Sequence, residues 1–210
     1  MRRELPSRHS NPFATCWTRP GAIAFQFANG ESMESLVAQL QAAGGWGEIV
    51  GPHGSGKSTL LAALESQLAA AGWDVAAITL RDGQRHLPRL WLQSALSTRR
   101  PLLVIDGYEQ LSWLGRAFVK WRCRNAAAGL LVTSHTPTGL PTLYRTCVDA
   151  ALAQSLVSTL TAERDSPITA ADVAASHACH GSNFRELCFA LYDRHETLSR
   201  TARTAVNSYA

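Results

Sequence analysis

The sequence predicts an α/β fold: a mostly parallel five-stranded sheet between helices, followed by a small C-terminal helical lid. Three observations predict it. Apolar runs at Trp46–Val50, Pro101–Asp106 and Gly129–His135 are short and nearly unbroken up to their polar ends, as strands covered on both faces require. Stretches with apolar residues at helical spacing separate these runs. Beyond residue 148 only helical spacing remains, so the lid carries no strand.

Size and composition bound the rest. A chain of 210 residues holds one α/β core and an appendage. With 46% hydrophobic and 17% charged residues it is globular, and no apolar run approaches the ~18 residues needed to cross a bilayer. Arg2 and Arg3 precede no apolar stretch, so no secretory or twin-arginine signal is expected, and the expected compartment is cytoplasmic. The five cysteines are scattered with no C-x-x-C pair, which reads as reduced thiols. His177, Cys179, His180 and Cys188 form the one cluster with soft ligands, read as helix packing and surface histidine rather than a metal site. The net charge of +4 is too mild to imply nucleic acid by itself; of the basic residues only Lys57 and Lys120 are lysines.

Residues 1–45 read as an arm and a helix. Pro6, Pro12 and Pro20 keep the arm irregular, with one short extended piece at Ala22–Phe27. Two places are open for its aromatics Phe13, Trp17, Phe25 and Phe27: the adenine side of a nucleotide site, or the edge of the core. Met33, Leu36, Val37 and Leu40 give a helix over Glu31–Ala43, capped by Asn29 or Ser32 and ended by Gly44-Gly45.

The first core strand, Trp46–Val50, runs into Gly51-Pro52-His53-Gly54-Ser55-Gly56-Lys57-Ser58-Thr59. This is G-x-x-x-x-G-K-S between a strand and a helix, the phosphate-binding P-loop. Its glycines let the backbone turn with N–H groups inward, and the helix start adds its positive dipole end. Lys57 is the residue to reach β- and γ-phosphate oxygens, and the Ser58 hydroxyl is a ligand for Mg²⁺. The helix runs to about Ala71 and Gly72 stops it.

Asp74–Leu80 is the second strand. The polar turn Arg81-Asp82-Gly83-Gln84-Arg85 follows at its C-terminal end, either touching substrate or partner or forming a plain surface loop. A helix over Leu87–Thr98 turns Leu90, Trp91 and Leu96 inward. Pro101–Asp106 then ends a continuous apolar run in a carboxylate, the Walker B pattern, with Asp106 on the Mg²⁺ opposite Ser58. Glu109 has two open roles: activating the attacking water, or capping the next helix.

That helix, Leu111–Asn125, is expected to bury Leu111, Leu114, Phe118 and Trp121. Arg116, Lys120 and Arg124 then form a basic stripe, either a solvated face or one that meets nucleic acid or an acidic partner. Gly129–His135 is the next strand, and Thr133, Ser134 or His135 at its end can sense the γ-phosphate. Leu140–Thr146 is the fifth strand. Helices over Asp149–Leu160, Ala170–Ala178 and Asn183–Leu198 complete the lid, with Ser182 as cap of the last. The boundaries predicted are 1–45, 46–147 and 148–210.

These motifs resemble known families over roughly residues 46–195. The Asp106-Gly107-x-Glu109 spacing resembles NACHT-like and related signal-transduction NTPases, and that resemblance makes Glu109 the candidate for the water-activating acid. The end of the 129–135 strand matches the sensor-1 position of AAA+ ATPases. Gly181-Ser182-Asn183-Phe184-Arg185-Glu186-Leu187 looks like their G-N-x-R-E-L sensor-2 segment with one extra residue, which implies that Arg185 contacts the γ-phosphate. Two departures matter. Many ATPases place the glutamate directly after the aspartate, where this chain has Gly107; and residues 136–142 hold no arginine for an arginine finger, leaving Arg145 as the nearby substitute.

The functional expectation is an ATP-binding P-loop NTPase of the additional-strand class, a slow Mg²⁺-dependent ATPase acting as a switch. Its catalytic residues are Lys57, Asp106 and Glu109; residues 51–59, Ser134, His135 and Arg185 bind nucleotide; Ser58 and Asp106 hold Mg²⁺. ATP is favoured over GTP because no N-K-x-D segment follows the fourth strand. A protein partner and a monomer or transient oligomer are expected, with nucleic acid weakly supported. Two alternatives stay open: a nucleotide-gated binding module with little hydrolysis, and a small-molecule kinase using Arg81, Asp82 and Arg85.

Overall fold

The computed structural model describes residues 11–19, 21–27 and 30–208. Five strands make one sheet: β1 (Trp46–Val50), β2 (Asp74–Thr79), β3 (Pro101–Asp106), β4 (Gly129–Ser134) and β5 (Thr142–Arg145). Their spatial order is β2-β3-β4-β1-β5, and every pairing is parallel. The α/β class and the five strands are as predicted, and the sheet, expected to be mostly parallel, is parallel throughout. β3 and β4 are buried along nearly their whole length, while edge strand β2 alternates between half-buried and exposed.

Parallel register is what builds a site here. Val50 pairs with Ser134, and Ile105 with Val132, so the C-terminal ends of β1, β3 and β4 lie along one sheet edge. Ligands in open parallel sheets bind at that edge, where neighbouring connections diverge.

Eight helices lie among the described residues: α1 (Thr15–Thr18), α2 (Met33–Ala42), α3 (Lys57–Ala70), α4 (Arg89–Ala95), α5 (Trp113–Asn125), α6 (Ala150–Thr161), α7 (Ala170–His180) and α8 (Phe184–Ser208). By contacts the chain forms two units. One comprises Phe27–Pro52 and Gly56–Thr146, with the sheet and α2–α5. The other comprises the described residues within Met1–Gln26, His53–Ser55 and Cys147–Ala210.

In the sheet unit, Leu80, Leu92, Leu103, Ile105, Tyr108, Val119, Cys123, Leu130 and Val132 share one core. A second, smaller feature is ionic: the Glu48 carboxylate is fully buried on β1, and accepts from Thr138 N (2.7 Å), Thr138 Oγ1 (2.7 Å) and Thr142 Oγ1 (3.0 Å). Those three bonds satisfy a buried charge and pin the 138–142 segment to β1. In the helical unit, Phe13 of the arm is buried among Val148, Val157, Val173, Leu187 and Leu191.

Several local expectations change. The arm has no strand at 22–27; instead Asn11 and α1 precede it, and Asn11 Nδ2 donates to Glu196 Oε1 (2.9 Å) and Tyr192 O (3.3 Å). Phe13 and Trp17 pack with the C-terminal helices, and Phe27 meets Tyr144 of β5 edge-on at 5.4 Å. Ser32 caps α2 in a capping box with Ser35; Asn29, Pro6 and Pro20 lie outside the described residues. α4 is shorter than predicted and Leu90 is 82% exposed.

The largest correction is α5. Leu114, Phe118 and Trp121, expected inward, are exposed, and Val119 and Cys123 are buried in their place. The expected basic stripe is turned partly inward: Arg116 Nη2 donates to Glu109 O (2.7 Å), Arg116 Nε to Leu111 O (3.0 Å), and Lys120 Nζ to Thr138 O (3.1 Å). Arg124 stacks on Trp46 at 5.3 Å. Helix periodicity identified two stripes of equal spacing, and the loop carbonyls needing donors chose between them. At α8, Asn183 Oδ1 accepts from Glu186 N, while Ser182 Oγ donates to Val148 O, so Asn183 takes the role expected of Ser182.

Candidate nucleotide site

The loop between β1 and α3 has the backbone its sequence requires. Gly56 adopts φ 96° and hands over to α3 at Lys57, which leaves the first N–H groups of that helix without intrahelical partners at the loop. Gly54 has φ 68°, a left-handed conformation that L side chains avoid. Space forbids a side chain there as well: a Cβ would overlap Asn183 Oδ1 and lie 3.1 Å from Arg185 Cβ. Gly54, Asn183 and Arg185 therefore meet within the helical unit.

Lys57 is buried and folds over the loop. Its Nζ donates to Gly51 O (2.6 Å) and Pro52 O (2.7 Å), and lies 3.2 Å from His135 Nδ1. Ser58 Oγ donates to Asp106 Oδ2 at 2.7 Å, so the hydroxyl and carboxylate expected around one Mg²⁺ are already adjacent. Paired oxygen donors of this kind suit a hard cation. Thr133 Oγ1 donates to the other oxygen, Asp106 Oδ1 (2.5 Å), and accepts from Gly107 N (2.9 Å).

The turn after β3 explains why Gly107 stands where many ATPases have a glutamate. Gly107 has φ 81°, and a Cβ there would come within 2.9 Å of Leu80 O. A side chain at 107 would be strained and crowded. The chain instead makes a 3-10 turn, Tyr108–Gln110, which brings Glu109 back toward the sheet edge. Glu109 Oε1 lies 2.8 Å from His135 Nε2, and the buried Oε2 has no hydrogen-bond partner. Capping is not the role of Glu109, because Ser112 Oγ accepts from Gly115 N at the start of α5. Below the turn Tyr108 is fully buried; burial pushes its phenol above the usual range, with the Arg116 guanidinium, 5.7 Å over the ring, opposing.

Among the other predicted residues, Ser134 is buried and its Oγ donates to Thr136 O (2.6 Å), while its carbonyl accepts from Gly51 N (3.2 Å). It fixes the loop to β4 through the backbone. Thr59 lies on α3; His53 and Ser55 lie at the loop tip in the helical unit. Asp82 accepts from Gln110 Nε2 (3.1 Å), and Arg81 and Arg85 are exposed.

Sequence reading left three features out. Thr133 was one of three options at the strand end, and it is the one that bonds Asp106. The His135–Glu109 pair has no spacing signal, because β3 and β4 meet only through the sheet. Asn183 stands within the G-S-N-F-R-E-L segment and lies close against Gly54 at the loop tip.

No protein-family model matches the chain, and no curated protein matches it. Among solved structures, the Aeropyrum pernix ORC1 protein in complex with DNA is similar at 15% identity and TM-score 0.61 over 88% of this chain; the chain spans 64% of that protein's length. PCH-2 of C. elegans is similar at 12% identity and TM-score 0.43, over 90% of this chain and 74% of that one. Protein NMB1076 of Neisseria meningitidis is similar at 24% identity and TM-score 0.31, over 66% and 80%. The last two fits are too loose to carry the fold. The strand order and the ORC1 likeness together show the fold: an all-parallel five-stranded sheet between helices, of the P-loop NTPase type.

Proposed function

We propose that this chain binds ATP with Mg²⁺ at the 51–59 loop and hydrolyses it slowly, acting as a nucleotide switch. The observation that carries the hydrolytic part is Glu109: one carboxylate oxygen is held by His135, and the other is buried with no partner, beside the Asp106 turn. A buried acceptor left unpaired is rare in a folded core and marks a group with a ligand to receive.

The residues fit the group they are proposed to take. Lys57 carries a positive charge into a loop whose carbonyls it now satisfies, and a phosphate's oxygens are stronger acceptors for the same N–H groups. Ser58 and Asp106 would supply the hydroxyl and carboxylate that hold Mg²⁺. The metal, when bound, neutralises charge on the phosphates. Thr133 fixes Asp106 from the opposite side, and backbone N–H groups of 54–58 are proposed to cradle the phosphates. Glu109 then accepts a proton from, or orients, the attacking water. Arg185, beside the loop tip, is proposed to contact the γ-phosphate.

Turnover is expected to be slow because residues 136–142 supply no arginine. ORC1 was solved with DNA, but that partner is not proposed here: Arg116 and Lys120 spend their charge on carbonyls of their own chain. The kinase reading weakens too, since Asp82 is engaged by Gln110.

The test is phosphate release from ATP and GTP with Mg²⁺, alongside equilibrium ATP binding. Lys57→Ala should lose binding. Glu109→Gln should bind ATP as the wild type does and lose about 100-fold or more in turnover. Wild-type binding without turnover would leave a nucleotide-gated module; no binding at all would remove the nucleotide reading.

A further inference from the structure

His135 touches both the phosphate lysine and the candidate water-activating carboxylate, and its two ring nitrogens do so separately. Nε2 lies 2.8 Å from Glu109 Oε1; Nδ1 lies 3.2 Å from Lys57 Nζ and 3.2 Å from Gly51 O. A carboxylate accepts only, so Nε2 carries the proton and donates to Glu109. In the neutral ring Nδ1 is then an acceptor, which matches the Lys57 ammonium and opposes the Gly51 carbonyl.

We propose that His135 is a positioning residue that couples phosphate capture by Lys57 to the orientation of Glu109. The inference rests on the nucleotide reading of the loop. Holding Oε1 fixes the carboxylate plane and leaves the unpartnered Oε2 as the oxygen offered to water. The same ring senses the loop. When Lys57 gives its N–H groups to phosphate oxygens, the Lys57–Nδ1 contact is lost and the balance of contacts around the ring changes. A shift of the ring then carries Glu109 with it through the Nε2–Oε1 bond. Nothing else in the turn does this: Gln110 reaches Asp82, and Arg116 grips the Glu109 backbone rather than its carboxylate.

The experiment has two arms on the full chain. In the first, ATP turnover and ATP binding are measured for His135→Ala and His135→Gln, each with and without Glu109→Gln. His135→Ala should lower kcat by about 10- to 100-fold while the ATP Kd changes little, because a misplaced catalytic group costs rate rather than binding. His135→Gln, which keeps a donor for the carboxylate, should recover part of that loss. In the Glu109→Gln background, His135→Ala should add almost nothing. An equal loss in both backgrounds, or a loss tracked by a fall in Tm with no rescue by Gln, overturns the proposal in favour of a merely structural histidine.

The second arm needs no turnover. ¹⁵N spectra of the wild-type imidazole are followed during titration with Mg²⁺ and a non-hydrolysable ATP analogue. The Nδ1 resonance of His135 should shift in step with binding as Lys57 leaves it. An unmoved resonance at saturation sinks the coupling while the nucleotide reading stands. Absence of analogue binding sinks both.

Discussion

α3 and α5 each follow a strand of the sheet, and they satisfy their surroundings in opposite ways. α3 buries Leu60, Leu61, Leu64 and Leu68, so its apolar stripe faces the protein as periodicity requires. α5 carries apolar Leu114, Phe118 and Trp121 at i, i+4 and i+7, and leaves them 50% to 61% exposed. Its inward stripe is Arg116, Val119, Lys120 and Cys123, two cations among two small apolar groups. The difference lies in what each helix packs on. α3 lies on strands whose backbone groups are paired within the sheet, whereas α5 also lies over the 108–111 turn and the 138 segment, where the Glu109, Leu111 and Thr138 carbonyls take their donors from its side chains. Unpaired carbonyls near a core cost more than exposed apolar area gains, and cations with aliphatic stems meet both needs.

The comparison is broken most directly at Arg116. Arg116→Ala removes donors from Glu109 O and Leu111 O, and should destabilise the chain by about 1–3 kcal/mol, read as a lower urea midpoint. It should also reduce ATP turnover, because the same bonds hold the turn that presents Glu109. If stability and turnover both survive, α5 is not the buttress of that turn.

A smaller effect is expected on the outward stripe. Phe118 and Trp121 are half-exposed and lie side by side, with ring centroids 6.0 Å apart. Phe118→Ser with Trp121→Gln should therefore change stability by no more than about 0.5 kcal/mol, as for surface sites generally. A loss of several kcal/mol in the double variant would mean that the stripe is covered in solution.

Legibility in the sequence follows the same division. β3 and β4 were readable because a strand buried on both faces leaves a nearly unbroken apolar run, and β1 with the P-loop because that loop's backbone needs glycines at fixed offsets after a strand. Lys57 and Ser58 follow from that loop and Asp106 from the end of the β3 run; Ser58 and Asp106 meet at 2.7 Å, while Lys57 folds onto the Gly51 carbonyl. The direction of α5 was not readable, since it depends on carbonyls from residues up to 18 positions away. The His135–Glu109 contact was hidden for a similar reason: each residue was a candidate alone, but their meeting depends on the register of β3 against β4 and on the turn forced by Gly107. Glu48 drew no notice, because a lone carboxylate in a strand gives no hint of the threonines that will satisfy it.

The last test has almost no energetic effect and is the sharpest on α5. Cys123 sits two residues past Trp121, so on an α-helix the two point to nearly opposite sides. If Trp121 faced inward, Cys123 would face solvent and react. In the structure Cys123 is fully buried, and burial pushes its thiol up to about 12; Cys188 in α8 is buried likewise, also to about 12. A raised thiol value means less thiolate, and the thiolate is the reactive form, so at pH 8 only on the order of 0.01% of either group is available. Cys16, Cys147 and Cys179 are exposed. Iodoacetamide at pH 8 should therefore modify three thiols promptly and the other two only after unfolding in urea, with peptide mass mapping to identify them. Prompt labelling of Cys123 in the folded chain would turn α5 around, return Leu114, Phe118 and Trp121 to the core, and leave Arg116 free of the Glu109 turn.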